Sequence, residues 1–176
     1  KLLKTRACKP TEAVYNSRMN SLSSTPNTIG FIGLGNMGSA MANHLCNAGY
    51  AVLAWARNPA TFEALADTPL KPQSSIEALC ANTRVIALNV TNTADVQSLL
   101  FRESGIAECA QPGTIIVDFS TIDAAAVVEI ARKLKSLKID YIDCPVSGGA
   151  AGARAATLSM MAGGDLAAFK QIESCK

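Results

Sequence analysis

The chain has 176 residues, enough for one domain with a full core and few for two. Hydrophobic residues make up 49% of it, which suits a largely buried parallel sheet and excludes a disordered chain. A net charge of +2 gives no bulk attraction for nucleic acid, and no apolar run nears the roughly 20 residues that span a bilayer.

Residues 1–27 differ in composition from the rest. Lys1, Lys4, Arg6, Lys9 and Arg18 sit among Ser, Thr and Asn, with Glu12 the only acid. Two readings stand: an organellar transit peptide, or a disordered extension in which Met19 is a natural start. The expected compartment is accordingly the cytoplasm, or the mitochondrion or plastid if the leader reading holds. The six cysteines, Cys8, Cys46, Cys80, Cys109, Cys144 and Cys175, show no Cys-x-x-Cys pair and no metal-ligand cluster. They read as reduced, packed thiols of an intracellular protein, with no metal site.

The segment from Thr28 to Gly38 is the most informative stretch. A short apolar strand runs directly into Gly33-Leu34-Gly35-Asn36-Met37-Gly38 and then a helix over residues 37–48, which Gly49 stops. Gly33 allows a sharp turn off the strand, and Gly35 lets backbone approach a pyrophosphate. Gly38 lets the helix pack closely on the sheet. The amides and dipole at the helix start favour phosphate. A second apolar strand over residues 50–56 completes a β-α-β unit, so the segment predicts dinucleotide binding.

Arg57 and Asn58 follow that strand. An NAD site usually carries an acid there for the ribose 2′-hydroxyl, whereas a guanidinium pairs with a 2′-phosphate. The reading is NADP. Asn58-Pro59 also has the form of a helix cap and first turn, so Asn58 can cap while Arg57 faces the cofactor.

The rest alternates between strands and helices. A helix is expected over residues 58–66 and an irregular connection over 69–72. Ser74 or Ser75 caps a short helix to Ala81, and residues 85–90 form a buried strand. A helix then runs from about Thr93 to Leu100, and a strand spans residues 114–119. Ser120-Thr121-Ile122-Asp123 has capping-box spacing before an alanine-rich helix over 124–137. Residues 139–143 and 157–162 read as strands, with 145–152 as a turn. The fold class is α/β: a Rossmann-type, doubly wound, mainly parallel sheet over residues 28–176. Ligands of such sheets lie at the carboxyl ends of the strands, where residues 33–38, Asn89-Val90-Thr91, Ser120-Thr121 and residues 145–152 should converge. In the last of these, Ser147, Gly148 and Gly149 offer a hydroxyl and closely spaced amides suited to a carboxylate.

Three ordered motifs, Gly33 to Gly38, Asp118-Phe119-Ser120-Thr121-Ile122 and Asp143-Cys144-Pro145-Val146-Ser147-Gly148-Gly149, together resemble the β-hydroxyacid dehydrogenase family. That family includes 3-hydroxyisobutyrate dehydrogenases, semialdehyde reductases and 6-phosphogluconate dehydrogenases. The resemblance extends through Thr157-Leu158 and Met161-Ala162-Gly163-Gly164, about residues 28–165. It implies NADP as cofactor, bound by Gly33, Leu34, Gly35, Asn36, Met37, Gly38, Arg57, Asn58, Asn89, Val90, Thr91 and Thr121. It implies a small carboxylate or aldehyde substrate held by Ser147, Gly148 and Gly149, and a homo-oligomeric parent.

There are departures. Asn89-Val90-Thr91 stands where members often carry a leucine-proline pair, and Ala156 replaces a glycine. Members are similar in having a catalytic lysine on a later helix, followed by a helical domain. Lys170 and Lys176 lie too early to match it, and Lys133, Lys135 and Lys138 cluster on the alanine-rich helix as an outer charged face. No catalytic residue is therefore expected within the chain, which alone should turn over little and self-associate through uncovered apolar surface. A non-catalytic binding module is the alternative. The single histidine, His44, reads as packed or surface, and Asp118 and Asp143 as turn caps.

Overall fold

The structure, a computed structural model, describes residues 28–173. The readings on residues 1–27, Cys175 and Lys176 lie outside the described residues. The main sheet contains β1 (Thr28–Ile32), β2 (Ala51–Trp55), β3 (Lys71–Pro72), β4 (Val85–Leu88), β5 (Ile115–Asp118) and β6 (Asp140–Asp143). All neighbours are parallel, in the order β3-β2-β1-β4-β5-β6. The chain winds outward from β1 to β3, returns to β4 beside β1, and winds out the other way. That reversal leaves a crevice at the carboxyl ends of β1 and β4.

The strands alternate side chains between two covered faces. Ile32, Ile86, Leu88 and Ile116 face one layer, made by α2 (Ile76–Asn82), α3 (Thr93–Phe101), α4 (Ile106–Cys109) and α5 (Ala124–Ser136). Leu79, Leu100, Ile106 and Leu134 are fully buried there. Each such side chain contributes about 1.5–3 kcal/mol. Ile29, Phe31, Val52 and Ala54 face the other layer, against Met41 and Ala42 of α1 (Gly38–Asn47) and Ala153 of α6 (Gly149–Ala155). Further along, Ile115, Val117 and Ile142 pack on Ala168 of α7 (Leu166–Glu173). Near-continuous apolar strands are what a sheet covered on both faces requires.

Several local expectations change. Residues 58–66 form a 3₁₀ helix, Pro59–Leu65, with no fully buried residue to favour a longer α-helix. Residues 69–72 are not wholly irregular: Lys71 and Pro72 pair with Leu53 and Ala54 as an edge strand, where proline's missing N–H is tolerated. Of Ser74 and Ser75, the cap is Ser75, whose Oγ accepts the Ala78 N–H at 3.1 Å. Ser120 does not cap the alanine-rich helix. Asp123 does, accepting the Ala126 N–H at 3.0 Å, because the Ser120 hydroxyl is engaged by the Val90 N–H at 2.9 Å. Residues 145–152 are no simple turn but β7 (Val146–Ser147) leading into α6. Residues 157–162 yield only β8 (Ser159–Met160), antiparallel to β7 in a separate two-stranded sheet. The short helix α4 was not anticipated.

Cys46, Cys80, Cys109 and Cys144 are free thiols, and burial pushes Cys80 up to about 12. Among the described residues no helix is long and apolar enough to cross a membrane, and no His, Cys, Asp or Glu cluster is placed to hold a metal.

Candidate functional site

A cleft of about 330 Å³ occupies the crevice at the ends of β1 and β4. Ile32, Gly33, Leu34 and Gly35 form one side, Asn89, Val90 and Thr91 another. Trp55, Ala56, Arg57, Asn58 and Thr61 enter from the end of β2, and Asp95, Ser98, Leu99 and Arg102 from α3.

The three glycines meet three different constraints. Gly33 has φ +101°, and a Cβ there would lie 2.1 Å from the Asn89 carbonyl oxygen. A Cβ on Gly38 would lie 1.9 Å from the Gly33 carbonyl oxygen, so α1 could not start where it does. Gly35 has nothing within 4 Å of that position and borders the cleft, so a side chain there would fill ligand space. The start of α1 is also bare: Met37, at its N-cap, makes no side-chain cap bond, and the first turn carries no acid. By contrast, Ser75, Asn92 and Asp123 cap α2, α3 and α5 with their side chains. Uncapped amides at the positive end of a ten-residue helix suit an anion. The residues present therefore fit a dinucleotide pyrophosphate.

Arg57 stands at the cleft mouth, its side chain 86% exposed, with Nη1 3.8 Å from Asp95 Oδ1. So open an ion pair contributes little and yields readily to a better anion. Asn58 lines the cleft and also caps the 3₁₀ helix, accepting the Ala60 N–H at 3.1 Å. Asn89 Nδ2 lies 3.3 Å from Met41 Sδ, tying the end of β4 to α1. Asn36, Met37, Gly38 and Thr121 do not line the cleft. Gly38 is buried under the turn, Asn36 is exposed on it, and Thr121 lies exposed beyond β5, past the cleft's limit at β4. Ser147, Gly148 and Gly149 are exposed at the β7–α6 junction and are likewise outside this cleft.

A buried carboxyl lies at the end of β5. Asp118, fully buried there, accepts the Ser120 N–H at 2.9 Å and the Tyr141 hydroxyl at 2.6 Å. Ser120 in turn accepts from Val90, so one network joins the ends of β4, β5 and β6. Burial pushes the Asp118 carboxyl above its usual range, against the opposing pull of its hydrogen bonds. Burial, then the Asp118 charge, push Tyr141 up. Asp143 is also raised, by burial and then by Asp118. The turn-cap reading fits Asp118, whose carboxylate satisfies the amide of Ser120 in the turn after β5.

His44 is engaged as well. Its Nε2 lies 3.0 Å from the Ala153 carbonyl and 3.1 Å from that of Arg154, where it can donate to the end of α6. Lys133 pairs with Glu129 at 2.8 Å, and Lys135 with Asp140 at 2.6 Å and Asp165 at 3.4 Å, an outer charged face. Lys138 falls just past the helix at φ 61°. Trp55, Thr61, Asp95, Ser98, Leu99 and Arg102 were not singled out from the sequence. The available signal was the i, i+3, i+4, i+7 spacing of the last four, one face of a helix that follows the switch-point strand.

The family described as the NAD binding domain of 6-phosphogluconate dehydrogenase matches residues 28–175. The 2-hydroxy-3-oxopropionate reductase of Escherichia coli is 37% identical over 145 residues, 82% of this chain and 49% of that protein. A probable mitochondrial 3-hydroxyisobutyrate dehydrogenase of Dictyostelium discoideum is 37% identical over 149 residues, 85% of this chain and 46% of that protein. Among solved structures, the 3-hydroxyisobutyrate dehydrogenase of Mycobacterium tuberculosis with L-serine aligns with TM-score 0.79 and 30% identity, covering 85% of this chain and 50% of that one. A protein called Psf3, in complex with NADP+ and 2-OPP, aligns with TM-score 0.79 and 31% identity, covering 83% and 52%. The chain spans about half the length of the curated relatives it matches. By its sheet order, its glycine turn and these likenesses, the chain belongs to the family of the NAD binding domain of 6-phosphogluconate dehydrogenase, as an NAD(P)-binding domain of β-hydroxyacid dehydrogenase type.

Proposed function

We propose that this domain binds NADP(H) and serves an oxidoreductase that moves a hydride between that cofactor and a small β-hydroxyacid or semialdehyde. The observation that carries the cofactor preference is Arg57, exposed at the cleft mouth just beyond β2, where an NAD site would place an acid. Psf3, a relative in fold and sequence, is bound to NADP+, which supports the same reading. The names of the reductase and dehydrogenase relatives support the substrate class.

When bound, the cofactor supplies the hydride, and the protein supplies orientation and a proton. The bare amides of α1 and the open space at Gly35 would hold the pyrophosphate, and Arg57 the 2′-phosphate. Thr121 would meet the nicotinamide end, and Ser147, Gly148 and Gly149 the substrate carboxylate. Titration with NADPH and NADH tests the preference. NADPH should bind at least tenfold tighter, since charge-assisted bonds to a phosphate are worth ~1.5–3 kcal/mol. Equal binding would overturn it, and Arg57→Asp should reverse it.

A second reading, a non-catalytic binding module, draws on the ion pairs that occupy Lys133 and Lys135 away from the cleft. No residue within the chain is assigned as the catalytic acid or base, so the chain alone should bind cofactor with turnover lowered ~10²–10⁴-fold. Exposed Met160, Met161 and Leu166 would favour self-association. Turnover of small hydroxyacids by the chain at rates matching longer relatives would defeat the assignment, and sedimentation as a monomer at every concentration would defeat the association.

A further inference from the structure

The face that α3 turns to the cleft carries a residue with no part in the reading above. Arg102 follows the last residue of α3 and is fixed at both ends. Its backbone N–H donates to the Ser98 carbonyl at 3.1 Å, and its guanidinium carbon lies 5.4 Å from the centroid of the Trp55 ring. Trp55 is itself half-buried, packed against the core at the end of β2. Arg102 and Trp55 both line the cleft, with the buried side chain of Leu99 beside them.

We propose that Arg102, seated over Trp55, is the platform on which the adenine ring of the dinucleotide stacks. The assignment rests on the cofactor reading and extends it to a named residue. A guanidinium is planar, weakly hydrated and stacks on flat rings, and with one face toward an aromatic it offers the other to a purine. The alternative task, a second cation for the 2′-phosphate, fits its position less well. Arg102 stands at the carboxyl end of α3, where the helix dipole and open carbonyls disfavour an anion. Its guanidinium lies over the Trp55 ring, and apolar Leu99 lines the same cleft, whereas Arg57 pairs with Asp95 at the cleft mouth. Base and phosphate are thus allotted to different arginines.

Trp55 is the only tryptophan in the chain, so its fluorescence reports the site without any turnover. The probes are 5′-AMP, 2′,5′-ADP and nicotinamide mononucleotide, titrated into the 176-residue chain and its variants, with calorimetry as a second readout because replacing Arg102 alters the surroundings of Trp55. Arg102→Ala should weaken 5′-AMP and 2′,5′-ADP by the same factor, roughly three- to thirtyfold, and leave nicotinamide mononucleotide unchanged. Arg102→Lys, which keeps charge and loses the plane, should recover less than half of that loss on a logarithmic scale. Arg57→Ala should weaken 2′,5′-ADP alone. A loss in Arg102→Ala confined to 2′,5′-ADP, or no loss at all, overturns the platform while leaving the cofactor reading intact. Failure of the unaltered chain to bind either adenine nucleotide overturns the cofactor reading and the platform with it. Arg102 is exposed, so unchanged thermal melting should accompany the substitution.

Discussion

Two glycine-bearing turns lead from strands into helices in this chain, and they are held in different ways. The first runs from β1, in the middle of a six-stranded sheet, into the ten-residue α1. Its tolerances are set by backbone: added atoms at Gly33 and Gly38 would meet carbonyl oxygens at 2.1 and 1.9 Å. The second runs from the two-residue β7 into the seven-residue α6. Gly148 there has φ +131°, but the one tight contact of a Cβ would be the end of the Leu158 side chain, at 3.1 Å, with the Gly152 and Leu158 Cα atoms at an ordinary 3.6 and 3.7 Å. What holds α6 in place is side-chain work, with Ala153 buried against the core and His44 reaching its last carbonyls. The same residue type therefore marks a rigid cradle in one place and an adjustable one in the other. A rigid cradle suits the pyrophosphate proposed for the first turn, and an adjustable one suits the substrate carboxylate proposed for the second.

The comparison breaks most visibly at Gly38. Gly38→Ala should destabilise the domain by about 2–4 kcal/mol and weaken NADPH at least tenfold, since a carbonyl cannot give way as a side chain can. Thermal melting and NADPH titration check it, and near-normal binding would show that the first cradle is not rigid. At the second turn, Gly148→Ala should cost about 1–2 kcal/mol, mainly from the positive φ, with nucleotide affinity unchanged. A loss of nucleotide affinity would mean that the two cradles are one unit. His44→Ala should cost about 1 kcal/mol, the worth of a hydrogen bond, again with no effect on nucleotide affinity. His44→Gln, which retains a donor, should restore part of it; no difference between the two variants would remove the latch from the account.

The smallest expected effect is a slope. Asp118 has its carboxyl raised in the folded state, chiefly by burial. The folded chain therefore keeps a proton that the unfolded chain has released in the pH range just above 3.8. Its contribution to stability is fully present below that value and is lost as pH rises through the folded pKa. The melting temperature of the native chain minus that of Asp118→Asn should fall as pH rises from 4 toward neutrality. A difference that rises with pH would mean that hydrogen bonds from Ser120 and Tyr141 outweigh burial.

The legible parts were those whose cause is local. Gly38 answers a carbonyl five residues back, at Gly33, and the positive φ of Gly33 belongs to the turn itself, although the carbonyl its Cβ would strike is that of Asn89 at the end of β4. The alternation of Ile29, Phe31 and Ile32 between faces follows from the period of a strand. Ser120 was misread for the complementary reason. Its spacing to Asp123 is that of a capping box, yet its hydroxyl is claimed by Val90, 30 residues away just past the end of β4. The helix α6 was missed because its sequence, with two glycines, has poor intrinsic propensity and is held by packing on α1.

The pattern of residues alone was enough for the parallel sheet and the first glycine turn, because strand period, turn geometry and helix-start chemistry are written into neighbouring positions. Which face of α3 meets the cleft, that Arg102 comes to lie over Trp55, and that His44 reaches across to α6 depended on how distant elements pack. Those contacts join positions 47 and 109 residues apart or more, and no short-range preference can specify them.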